Sequence, residues 1–211
     1  MNWAERFPKL WAILEQMATL LFGSLLFWLA CPLIITLPGG IAGLFAVMGP
    51  LIRSGRADGE IIRPFWATFR QTALTGLGLL LIDLLVALVI WVDIRFFWGV
   101  GALWGQALAL LALAIGLVAL MVNLFVWPLL AWYPQPLRSL LWRAFLLAGA
   151  HPLLALGGVA TLVLLPMLLT MLPGPLLALI PLLGPGLLTG LLGSIAWRAM
   201  RRHGAEQEEA V

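Results

Sequence analysis

The sequence predicts an all-α protein, a polytopic transmembrane helix bundle with helices broken at Pro and Gly and with short interfacial helices. Three observations predict it. Hydrophobic residues make up 63% of the 211, charged residues only 10%, and mean hydropathy is +1.08. A soluble domain carries about 25% charged and about 45–50% apolar residues. At this size, folding in water leaves roughly 30% of the unfolded chain's surface exposed, and this composition has too few polar groups to cover it. Hydrocarbon as solvent removes the conflict. The length allows a single membrane domain, residues 1–211.

A spanning helix needs about 20 apolar residues, because ~30 Å of hydrocarbon is crossed at ~1.5 Å per residue. Five segments qualify: 17–37, 72–92, 100–130, 142–171 and 175–197. Pro32 should bend the first. The second carries one charge, Asp83, near its centre. The third is long enough to tilt or to project beyond the bilayer. His151-Pro152 and Pro166 interrupt the fourth; Pro181 and Gly184-Pro185-Gly186 break the fifth. Residues 38–52 are apolar but reach only ~22 Å as a helix. Thr36 could cap that helix, with Pro38 in its first turn. It is a short span, a re-entrant half-helix or an extension of the first span. The acidic tail 203–211 is expected to be disordered.

The positive charges cluster, and their bias orients the chain. Four arginines lie in 53–70, two at Arg138 and Arg143, and three in the tail at Arg198, Arg201 and Arg202. Five spans leave Arg6 and Lys9 on the outer side. A sixth brings them to the same side as the rest and leaves Arg95 alone opposite. The C-terminus is expected on the cytoplasmic face of a bacterial inner membrane. Two basic-aromatic stretches, Arg63, Trp66, Phe69 and Arg70 and then Arg138, Trp142 and Arg143, suit helices lying at headgroup level. No basic stripe with interleaved aromatics tracks nucleic acid. The lone Cys31 excludes an internal disulfide.

No hydrolase elbow, phosphate-binding loop or zinc-protease motif is present, so no enzyme activity, metal or cofactor is expected. Asp83 is the sharpest candidate. A carboxyl at mid-bilayer costs at least ~2.5 kcal/mol on insertion scales, so it is either locked between helices or used as a proton relay or substrate contact. Gln106, Asn123 and His151 are its plausible partners. Gly186, Gly190 and Ser194 recur every four residues, as do Gly101 and Gly105. That spacing lets helices approach closely within a bundle or between copies. Most of the 11 Trp fall near span ends, as an aromatic belt.

Cys31-Pro32-Leu33-Ile34-Ile35-Thr36 leads into Ala42-Gly43-Leu44, and Phe65-Trp66-Ala67-Thr68-Phe69-Arg70-Gln71 follows. Later come Pro128-Leu129-Leu130-Ala131-Trp132-Tyr133 and the stretch from Leu137 to Phe145. Together these resemble the YesL-like family of small bacterial membrane proteins, a domain family of unknown function, over about residues 20 to 165. Ser24 stands where that family often has Asn, and Pro32 is shifted from its usual place. The resemblance implies an accessory role in carbohydrate uptake, with transporter subunits as partners beside the lipid bilayer. It supplies no catalytic or binding residues. The alternative is a small secondary transporter with Asp83 as its coupling carboxylate.

Overall fold

The structure, a computed structural model, describes residues 8–31, 34–56, 59–171, 173 and 179–209. Its order is α1 Pro8–Ala30, a 3-10 turn Ile34–Thr36, α2 Leu37–Ser54, α3 Ile62–Gly99, α4 Leu103–Trp132, α5 Leu137–Ala150, α6 Pro152–Thr170 and α7 Leu179–Glu209. No strand occurs among the described residues. All of these α-helices except α5 are long and apolar enough to cross a membrane, six in total. The chain is therefore a multi-pass, all-α helix bundle. The expected bend at Pro32, the start of the last span at Pro175 and the belt residue Trp3 lie outside the described residues.

Three expectations change. The ambiguous element is the 18-residue helix α2, which reaches ~27 Å, and over half of it (56%) is buried inside the bundle. It is a sixth candidate span, a helix separate from α1. Segment 142–171 is two helices, because His151 adopts φ −127 and ψ 61 between them. Proline disfavours the helical conformation in the residue before it, and here that residue is His151. The tail also continues α7 as helix to Glu209 rather than starting disorder at residue 203.

The centre of the bundle is α2, and its glycines explain why. A Cβ on Gly39 would sit 2.9 Å from the Phe69 ring, and one on Gly43 would sit 3.0 Å from the Phe65 ring. Gly40 faces Cys31 and Phe27 of α1, and Gly49 faces Trp132 of α4. Small residues four apart let neighbouring backbones close in where lipid supplies no hydrophobic drive. On one side α2 joins Ala30, Val47, Met48 and Phe65 in a cluster with α1 and the start of α3. On its other side Ala42 and Phe45 join Phe125, Leu130, Leu140, Ala144 and Ala196 from α4, α5 and α7.

One end of the bundle gathers the basic residues. Gln16 Nε2 donates to Gly55 O at 3.5 Å, tying the first half of α1 to the end of α2. Arg53 stands over the Trp132 ring at 5.8 Å, and Trp132 meets Trp197 edge-on at 6.3 Å. His151 meets His203 at 6.2 Å, so the α5–α6 corner and the last turns of α7 share that end. α5 buries Leu140, Ala144, Leu147 and Ala148, a face at helical spacing. It exposes Trp142 and Phe145, which stack at 6.0 Å. The turn after α2 needs Gly55 at φ 70, a left-handed helix end whose N–H reaches Leu51 O.

Candidate functional site

The breaks expected at Pro166 and at Gly184-Pro185-Gly186 do not occur, since α6 and α7 run on as helices through both, and the gaps these prolines leave in the hydrogen-bond ladder converge on one region. Pro185 has no N–H, so the Pro181 carbonyl lacks its donor four residues on. The indole Nε1 of Trp28 donates to that carbonyl. One turn earlier on α1, the buried Ser24 Oγ accepts the Gly186 N–H at 3.0 Å. Residues four apart lie on the same helix face, so α1 grips α7 on both sides of Pro185 with two adjacent side chains. Thr189 Oγ1 closes the Pro185 carbonyl at 2.7 Å. In hydrocarbon each unsatisfied backbone group costs several kcal/mol, and protein side chains remove that cost here.

Beside Pro185 lies a cavity of about 810 Å³ between α1, α2, α4, α6 and α7. Phe27, Leu44, Leu120, Leu165 and Leu188 form much of its wall, and Pro166, Pro181 and Pro185 all line it. Its polar side chains are Cys31, Asn123, Thr170 and Thr189, with the indoles of Trp28 and Trp127. Among the described residues no charged side chain lines it. This size and largely apolar lining, with a few placed polar groups, are those of a small-molecule pocket.

Asn123 is the polar edge of the cavity. Its Oδ1 accepts Trp127 Nε1 at 2.7 Å, and its side chain neighbours the half-buried Asp83 across the α3–α4 contact. Asp83 itself does not line the cavity. The chain Trp127–Asn123–Asp83 thus runs from the cavity wall through α4 into the α3–α4 contact.

The other expected partners are elsewhere. Gln106 is exposed in the first turns of α4. His151 is buried at the α5–α6 corner, and among the described residues its Nε2 has no hydrogen-bond partner. Its neighbour is the His203 ring. Sequence separation fixes neither which helix faces meet nor how far apart polar groups on different helices stand, so the four residues do not assemble.

The expected packing glycines divide. A Cβ on Gly186 would fall 2.9 Å from Leu20 O and Ser24 Oγ, and one on Gly105 would fall 2.7 Å from Phe97 O. Gly190 has nothing within 4 Å, and Gly101 is not in a helix but in the α3–α4 turn at φ 68. Ser194 bonds its own helix, donating to Leu191 O at 2.8 Å.

The first basic-aromatic stretch is not a separate interfacial helix but the opening turns of the 38-residue α3. Phe69 packs on Gly39, and Trp66 stands edge-on to Phe69 at 5.2 Å, while Arg63 and Arg70 are exposed. The second stretch matches the short amphipathic helix α5, with Arg138, Trp142 and Arg143 exposed. Trp127 and Trp132 also leave the belt, since both are hydrogen-bonded inside the bundle.

Sequence reading missed Gly39, Gly43, Phe65 and Phe69 as one packing unit, and Ser24 and Trp28 as a clamp. The signals were present: glycines four apart opposite phenylalanines four apart, and a proline whose i−4 carbonyl needed a donor. Among the described residues no group of three or more His, Cys, Asp or Glu could hold a metal ion.

Residues 18–94 match the family model of DUF624, a protein of unknown function. The YesL-like resemblance is consistent with that family. The DUF624 match runs from Ala18 on α1 through α2 to Ile94 on α3. It therefore includes Ser24, Trp28, the α2–α3 glycine packing and Asp83, but not Asn123 or Pro185. No curated protein and no solved structure matches the chain.

Proposed function

We propose that this chain is a non-enzymatic membrane protein of permease type that binds a small molecule in the cavity beside α7, with Asp83 as its intramembrane coupling carboxylate. The observation that carries the reading is that Asp83 neighbours Asn123, which lines the cavity. An intramembrane carboxyl costs energy to insert and is by default a functional group. Here it sits one side chain away from a cavity that can hold a ligand. Pro166 and Pro185 inside α6 and α7 line that cavity and fit the same reading, because a freed backbone group at membrane depth is tolerated where it is buried or lines a cavity. Reconstitution into pyranine-loaded liposomes tests it. The wild type should dissipate an imposed pH gradient faster than Asp83→Asn. Equal rates would remove Asp83 from the mechanism.

A second reading rests on the basic end of the bundle. Arg53, Arg138, Arg143, Arg201 and Arg202 are all exposed. Positive charge of this kind favours the cytoplasmic face of a bacterial inner membrane, which would place both described chain ends inside. It also offers a docking face for transporter subunits, in line with an accessory role in carbohydrate uptake. Co-purification of such subunits after gentle extraction would support it. An isolated chain, with sugar uptake intact after deletion, would remove it.

A further inference from the structure

We infer that the cavity selects an uncharged, largely apolar amphiphile bearing a hydrogen-bond acceptor such as an ester or amide oxygen, and that Asn123 is the donor that reads it. The inference rests on the binding-cavity reading above and names its ligand class. Most polar hydrogens lining the cavity are already spent. Trp28 Nε1 donates to Pro181 O and Trp127 Nε1 to Asn123 Oδ1. Thr170 and Thr189 donate to Met167 O and Pro185 O, both at 2.7 Å. The Cys31 thiol faces Thr36 O at 3.9 Å. Asn123 alone carries two amide hydrogens, with Asp83 beside it on α3.

A free sugar would bring many hydroxyls into a wall that offers them almost no donors, and each unpaired group would cost its desolvation. A charged ligand would find no counter-charge among the described lining residues. An apolar chain with one acceptor meets neither cost. Asp83 acts through Asn123 as a positioning residue. With Trp127 holding Oδ1, the amide keeps its N–H groups turned from the indole as donors, and the neighbouring Asp83 favours that orientation.

Cys31 supplies the readout, being the single cysteine of the chain and a lining residue. The rate of its alkylation by N-ethylmaleimide is measured on purified protein in detergent, with hexadecanamide, palmitate, hexadecylamine or maltose added. Hexadecanamide should slow alkylation at concentrations on the order of tenfold lower than either charged chain, and maltose should not slow it. Asn123→Leu and Asp83→Leu should each lose that preference, and Asp83→Asn should keep it, because its Oδ1 still accepts. If Asn123→Leu does not remain monodisperse, Trp127→Phe keeps the ring, drops the Oδ1 donor and should weaken the preference. Equal protection by charged and uncharged chains, or full preference in Asn123→Leu or Trp127→Phe, overturns the ligand class and leaves the cavity reading standing. Protection by no probe at all overturns the cavity reading and the ligand class with it.

Discussion

Ser24 Oγ accepts the Gly186 N–H at 3.0 Å across 162 positions of sequence, and the contact is buried. It holds α1 against α7 beside Pro185, and it leaves no room for a side chain at position 186. Gly186→Ala would drive a Cβ to 2.9 Å from the Leu20 carbonyl, a backbone atom that cannot swing aside. The expected loss is about 1–3 kcal/mol, the usual range for overpacking. Gly190→Ala, one turn on and with nothing within 4 Å, should instead gain about 0.5–1 kcal/mol from helix propensity. Thermal unfolding of the two variants in the same detergent checks the opposite signs.

Trp28→Phe should cost about 1–3 kcal/mol, because it keeps the ring but leaves the Pro181 carbonyl without a donor. Pro185→Ala supplies a backbone N–H to the same carbonyl. In that background Trp28→Phe should cost much less. A double-mutant cycle that found additive losses would show that the indole acts by packing alone.

Gly43→Ala and Gly39→Ala should each destabilise the protein by about 1–3 kcal/mol. The added methyl meets the Phe65 carbonyl at 3.1 Å in one case and the Phe69 carbonyl at 3.2 Å in the other. Gly78→Ala is the control, since its nearest contact is a Leu137 methyl at 3.8 Å. Loss of monodisperse protein in size-exclusion chromatography for the first two, and not for the third, is the expected pattern.

Six crossings put the loops after α2 and α4 and the end of α7 on one side. In a Cys31→Ser background, cysteines at Glu60, Gln135 and Arg202 should react with a membrane-impermeant thiol reagent only in opened membranes. A cysteine at Ala102 should react in intact cells. Labelling of residues 60 and 102 from the same side would reduce α3 to a helix that does not cross.

How much of this was legible beforehand depended on which physics a residue reports. Leu84, Leu85 and Leu88 of α3 are exposed, and their hydropathy alone announces a membrane span, because lipid rewards each apolar residue independently of its neighbours. The His151-Pro152 interruption is local too, since it follows from the covalent structure of proline. The status of residues 38–52 was not local. Glycine-rich helices score as short and weak by hydropathy, yet α2 holds the centre because Phe65, Phe69 and Trp132 close on it. Gln106 and His151 carried the same polar signal as Asn123, and only the packing of α4 against α3 singled out Asn123 as the neighbour of Asp83.

The sequence by itself therefore determined the solvent, the helical class and the helix end at His151-Pro152, though not the breaks expected at Pro166 and Pro185, because transfer energy and backbone stereochemistry are properties of single residues and short segments. Only the tertiary structure decided that there are six candidate spans, which glycines are contacts and which polar groups meet. Those outcomes are pairwise. They depend on the helix faces that long-range packing turns toward one another, as it turns Ser24 and Trp28 toward the stretch around Pro185.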